Sequence, residues 1–211
     1  VAVRCMEKIP PITMTEVFLE RELLDALFLY LSAILPHCPP DQKAPIYMAY
    51  LQTAVRTQHW KELEKVCREG TGFEPEAAIQ YLKDASLDDP LPLIILCDRF
   101  GKVHELVLYL HERGAMRYIE VYVQKVNPSR AADVLGALLD VGAEEGRIQD
   151  LLISIPVGGY SIGDVVAAAE QRNRLSIALP LLEARIRHES TSRDPEVLLQ
   201  SLLTLFYATL Y

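Results

Sequence analysis

No stretch of this 211-residue sequence reaches about 18 consecutive apolar residues, so no membrane-spanning helix is expected. The opening VAVRCMEKIPPITMTE lacks a long apolar core with a cleavage site, so it is not expected to be a secretory signal. It also lacks an initiator methionine, from which we expect a chain cut from something longer. The four cysteines, Cys5, Cys38, Cys67 and Cys97, include no CxxC pair. Zinc sites usually bring two ligands within a few residues, and the only near pair is His37-Cys38, adjacent and beside prolines. Thiols kept reduced in a cytosol are the expected reading. Positive charge is scarce as well: 21 Lys and Arg face 29 Asp and Glu, a net −8, with no basic run or basic helix face. That balance excludes nucleic acid and acidic membrane surfaces as expected partners. There is no GxxxxGK[ST] loop and no HExxH.

What the sequence does have is helical periodicity. One segment is ambiguous: Tyr118–Val126 in MRYIEVYVQKVNPSRAADVLGALLDVG is rich in Ile, Val and Tyr, and Ile119, Val121 and Val123 alternate with polar residues as in a strand. Ile119, Tyr122, Val123 and Val126 also fit one helical face. The neighbours decide. Val103, Leu106, Val107 and Leu110 form a helical stripe closed by Gly114, and Ala131, Val134, Leu135, Leu138 and Leu139 form another closed by Gly142. A lone strand between two helices has nothing to pair with, so the segment is expected to be helical. A polar residue followed by proline recurs as a helix start at Pro75, Pro90, Pro128 and Pro195, and Ser161 with Asp164 makes a capping-box variant.

These marks predict helices over 15–35, 42–57, 59–69, 75–85, 90–99, 102–113, 115–126, 128–140, 144–154, 162–172, 174–188 and 196–210. The expected fold is all-α, a solenoid of short antiparallel hairpins, each burying its apolar face only against its neighbours. The last helix, LLQSLLTLFYATLY, is apolar on nearly every side, as if another repeat covered it. The predicted interior includes Leu106, Val107, Leu110, Ile119, Val123, Leu135, Leu139 and Leu182, and Leu139→Asp is expected to collapse the local hairpins.

Candidate chemistry is thin. His104 and His111, beside Glu105 and Glu112, lie two helical turns apart, roughly 10 Å by helix rise, too far to share a metal. VGGYSIGD places glycines before a helix but has no lysine and no preceding strand, so it reads as a turn. Asp98-Arg99 suits a structural ion pair or helix-end charge. Tyr109, Tyr118 and Tyr122 suit groove-filling aromatics whose hydroxyls reach solvent. No residue is assigned to catalysis, to a cofactor or to a metal, and an enzyme is not expected because no nucleophile, base and orienting group can be placed together.

The segments LPLIILCDRFGKVHELVLYL, RYIEVYVQKVNPSRAADVLGALLDVG and AEQRNRLSIALPLLEARI together resemble the clathrin heavy-chain family, in its leg near the ankle and the start of the distal segment. The resemblance is weaker at Glu16–Tyr30, strengthens at KELEKVCREG and FEPEAAIQYLKDA, and runs collinearly to about Arg187. Residues 1–15, the loop PHCPPDQKAP and the tail STSRDPEVLLQSLLTLFYATLY depart from it. The resemblance implies an α-zigzag superhelix of hairpins, with residues 1–70 belonging to a preceding repeat and 71–211 to a clathrin repeat that continues without a flexible linker. It further implies a structural segment of a three-legged assembly that forms polyhedral coats on endocytic and trans-Golgi vesicles at the cytoplasmic side of the membrane. Other heavy-chain legs are the implied partners; light chains, adaptors and trimerisation are implied for regions outside this chain, so no such site is carried onto any residue. A vacuolar tethering-complex subunit, which carries a related repeat, is the alternative.

Overall fold

The computed structural model describes residues 9–156, 158–189 and 203, and among these there are helices and turns but no strand. The helices are α1 (Pro11–Glu20), α2 (Leu24–Ile34), α3 (Lys43–Arg56), α4 (Trp60–Glu69), α5 (Pro75–Ala85) and α6 (Leu91–Arg99), followed by α7 (Val103–Glu112), α8 (Met116–Val121), α9 (Ala131–Asp140), α10 (Glu145–Ser154), α11 (Ile162–Glu170) and α12 (Leu179–Glu189). The chain divides into two compact units, Val1–Gly101 and Lys102–Tyr211.

Within each unit the helices pack in two rows. In the first, α3 touches both α1 and α5, while α4 packs on α6. In the second, α9 lies between α7 and α11, and α10 packs on α12. Helices such as α3 and α9 thus touch the next but one in sequence on either side, which is the packing of an α-solenoid built from hairpins. Leu63, Cys67, Leu96 and Cys97 fill the first unit's interior, and Leu106, Val107, Val123, Ala137 and Leu138 fill the second's; all are fully buried.

A common turn closes the odd-numbered row. Each of its helices ends on a residue of positive φ: Glu22 (55°), Gln58 (59°), Ser86 (50°), Gly114 (67°), Gly142 (68°) and Asn173 (55°). At five of them the following amide reaches back to close the helix, as Leu23 does to the Phe18 carbonyl (3.0 Å), His59 to Ala54 (2.9 Å) and Ala115 to Leu110 (2.8 Å). Ala143 and Arg174 donate in the same way to Leu138 (3.0 Å) and Ala169 (2.9 Å). This bond satisfies an orphan carbonyl of the last turn and reverses the chain. Ser86, Gly114 and Gly142 stand at an equal spacing of 28 residues. Four of the six positions carry a side chain, and left-handed backbone costs a non-glycine residue on the order of 1 kcal/mol. Gln58→Gly is therefore expected to raise stability by about 1 kcal/mol and the thermal midpoint by roughly 2–4 °C. Asn173→Gly should gain less, because asparagine enters this region more readily. An unchanged or lower midpoint for Gln58→Gly would show that the turn is not strained.

The same turn corrects the first expected helix. Residues 15–35 are not one helix: Glu22 in the left-handed region ends α1, and α2 begins at Leu24. The helix expected over 196–210, Pro195 and the proposed cover of the last helix fall outside the described residues, apart from Leu203, which is helical. Of the predicted interior, Leu106, Val107, Leu110, Ile119, Val123, Leu135 and Leu182 are buried. Leu139 is only half-buried; its neighbour Leu138 is the one enclosed.

The ambiguous segment is helical, with a change of pitch. After α8 the chain continues as a π-helical turn over Tyr122–Val126, where the Asn127 amide donates to the Tyr122 carbonyl at 2.9 Å. The wider turn rotates the residues beyond it away from the α-helical stripe. Val126 is consequently 53% exposed, while Tyr122 is buried at 1%, so, contrary to expectation, its hydroxyl does not reach solvent from a groove.

Candidate functional site

The polar groups that reach between hairpins are the structure's main candidates for function, and most belong to the motifs singled out above. In the first unit Arg99, from CDRF, donates through Nη1 to the Cys67 carbonyl near the end of α4, at 3.1 Å. A cation there complements the partial negative charge of a helix C-terminus. The Arg99 guanidinium also lies 5.1 Å from the Phe100 ring centroid, and Phe100 meets Phe73 edge-on at 6.1 Å. The sequence expectation of a structural helix-end charge at Arg99 thus matches its place. Burial pushes the Cys67 thiol up to about 12, only partly countered by Arg99, so this sulfur is held as an unreactive thiol.

In the second unit Asp140 of LLDV and Arg172 of RNRL make a two-pronged ion pair between α9 and the end of α11. Arg172 Nε meets Asp140 Oδ1 at 2.7 Å and Nη2 meets Oδ2 at 2.8 Å. The same guanidinium covers Gly136: a Cβ built there would stand 2.9 Å from Nη2. Arg174 donates to Glu145 Oε1 at 2.7 Å, at the start of α10. Gln124, from YVQKVNPSR, donates to Ser154 Oγ at 2.7 Å, joining the π turn to the end of α10. Gly159 of VGGYSIGD lies against Pro128, where a Cβ would approach the proline to 2.7 Å. Ser161 accepts from the Asp164 amide at 3.3 Å, as the capping variant predicts.

The imagined metal residues are not gathered. His104 is exposed, with Nδ1 3.8 Å from Asp140 Oδ2, while Glu105 pairs with Lys102 at 3.7 Å. His111 is half-buried and Glu112 exposed. His37 is exposed while Cys38 is buried, so the adjacent pair diverges. Cys38, Cys67 and Cys97 are buried free thiols, and Cys5 lies outside the described residues. Tyr109 is half-buried, its hydroxyl accepting from Arg113 Nη1 at 3.0 Å, and Tyr118 is exposed. Among the described residues no three His, Cys, Asp or Glu side chains are grouped to hold a metal, and no helix is long and apolar enough to cross a membrane.

The paired hydrogen bonds from Arg172 hold the Asp140 carboxyl below its usual range; burial opposes them, and the charges of Arg172 and His104 add to the lowering. A depressed carboxyl contributes its stability above the unfolded value, about pH 3.9, and loses it as pH falls through the lower folded value. The two side chains are 28% and 38% exposed, so solvent screening limits the contribution to roughly 1 kcal/mol. Asp140→Asn is expected to lower stability by about that amount at pH 7, with the difference from the unsubstituted chain vanishing on acidification below about pH 4. A difference independent of pH would assign the loss to something other than the ion pair.

The clathrin heavy chain 2 of Homo sapiens is 43% identical over 187 residues, which is 89% of this chain and 11% of that protein. The clathrin heavy chain of Drosophila melanogaster is 46% identical over 165 residues, 78% of this chain and 10% of its own length. That of Dictyostelium discoideum is 35% identical over 186 residues, 88% and 11% respectively. The chain thus spans about a tenth of the length of the curated relatives it matches. The family model described as "Clathrin: Region in Clathrin and VPS" matches residues 5–145, and on these matches the chain belongs to the clathrin family, as a region of heavy-chain type.

Proposed function

We propose that this chain is a structural segment of a clathrin heavy-chain leg, acting through shape and not through catalysis. The observation that carries the reading is the 43% identity to a clathrin heavy chain over 89% of this chain, on a stack of hairpins whose polar contacts come from CDRF, LLDV and RNRL. Stacked hairpins joined by a core and a few directional polar bonds are stiff locally and can bend by small adjustments at each interface. Such a segment would serve triskelion legs and their packing against neighbouring legs in the polyhedral coats of endocytic and other transport vesicles. Leg contacts repeated along a lattice give avidity without any single strong interface. On this reading its partners are other heavy-chain legs, its location is the cytoplasmic face of coated pits and vesicles, and light chains, adaptors and trimerisation fall to other regions of the full protein. We further propose that residues 1–70 complete one repeat and 71–211 carry the next without a flexible linker.

The test uses the full-length protein that contains this sequence, imaged by electron microscopy before and after transfer to mildly acidic, low-salt conditions. Three-legged particles that close into cages are the expected result. Single or paired rods that never close would overturn the reading in favour of a tethering subunit.

A further inference from the structure

Trp60 is the only tryptophan of the chain, and it stands at the start of α4 with 45% of its surface exposed. Its indole lines a cavity of about 400 Å³ in the first unit, between the α3–α4 turn and the α5–α6 turn. Gln58 and Ser86, the left-handed residues that close α3 and α5, both line it, so two tight turns shape its surface. Leu87 and Pro92 add apolar surface, and Glu64, Asp88 and Asp89 supply three carboxylates. No lysine or arginine lines the cavity.

Two of these carboxylates also serve the fold. Asp89 Oδ1 accepts from the Leu91 amide at 3.0 Å, and Glu64 pairs with Arg68 at 3.7 Å. Asp88 is exposed and has no partner among the described residues. An anionic ligand would meet the carboxylates directly, and a wholly apolar one would strip them of water without replacing it. A side chain with an aliphatic stem and a cationic head satisfies both halves of the site. Such a stem would find apolar surface in Leu87 and Pro92, and such a head would be attracted by the indole ring quadrupole and by the carboxylates that line the same cavity.

We propose that this groove is a docking site for a cationic segment of another protein, one that presents an arginine or lysine beside an apolar residue. Tryptophan is among the residue types enriched where binding energy concentrates at interfaces, and preorganisation lowers the cost of binding. The assignment is independent of the leg reading, since it rests on one groove and its charge.

The single tryptophan is its own reporter. The intact chain is titrated with a short labelled peptide of alternating arginine and leucine, and with its counterpart in which glutamate replaces arginine. The arginine peptide is expected to change Trp60 emission saturably, and the glutamate peptide to leave it unchanged. By fluorescence anisotropy, Trp60→Ala and Asp88→Lys are each expected to weaken binding at least about tenfold, equivalent to 1.4 kcal/mol. Both positions are exposed, so the variants should keep the thermal midpoint of the unsubstituted chain. The net charge of −8 will attract any basic peptide weakly, and for that reason the Trp60 variant decides. Equal affinity in Trp60→Ala, or no change in emission at saturating peptide, would overturn the site and leave only diffuse attraction to an acidic surface.

Discussion

Leu138→Asp should abolish the cooperative unfolding transition of the second unit, or lower its stability by more than about 4 kcal/mol, while Leu139→Asp should cost on the order of 1 kcal/mol. Leu138 is fully buried in α9, the helix that packs on both α7 and α11. Aspartate there removes a leucine's packing and places an ionised carboxylate where nothing can pair with it, two losses that reinforce each other. Leu139 is one residue on, about 100° around the helix, and half-buried. A carboxylate at that position can turn toward water. Denaturant titration of the two variants, followed by circular dichroism, separates them directly. Equal losses, or a larger loss at Leu139, would mean that α9 presents a different face to its neighbours. The comparison also measures how strongly the stack depends on one helix, because α9 supports a hairpin on either side.

The sequence stripe admitted both leucines because Ala131, Val134, Leu135, Leu138 and Leu139 all fall on a broad apolar arc, and periodicity alone does not locate its centre. Helices bounded by glycine or a proline start were legible: Gly114 and Gly142 mark the ends of α7 and α9, and Pro75 the start of α5. The regular closure of the odd row was not, because Glu22, Gln58, Ser86 and Asn173 take a backbone conformation that their side chains do not advertise. For the same reason α1 and α2 read as one helix. The contacts between hairpins were half legible. The motifs CDRF, LLDV and RNRL stood out as letters, but nothing in the letters pairs Asp140 with Arg172, which are brought together only when α9 and α11 stack. Trp60 gave no periodic signal at all; its groove is lined by residues of two turns, α3–α4 and α5–α6, that lie apart in sequence.

The second large effect belongs to the segment that first read as either strand or helix. Tyr122→Ala is expected to cost roughly 3–5 kcal/mol, the range for truncating a buried aromatic, whereas Val126→Ala should fall within about 0.5 kcal/mol of the unsubstituted chain. On an unbroken α-helix the two residues, four apart, would share a face and should matter together. Here Tyr122 is 1% exposed and Val126 is 53% exposed, because the π turn between them adds a residue to the circuit and turns Val126 out. Tyr122→Phe keeps the ring and removes only the hydroxyl, so it should retain most of the stability lost in Tyr122→Ala. The set therefore distinguishes packing from polar bonding and α pitch from π pitch in one series of thermal or denaturant unfolding curves. Comparable losses at Tyr122 and Val126 would restore the regular helix. A small loss in Tyr122→Ala would remove this ring from the core of the second unit. The expected split makes the change of pitch the device that lets a β-branched, aromatic-rich segment serve as a short helix, with its largest ring inward and its last turn redirected so that Gln124 reaches Ser154 on the neighbouring hairpin.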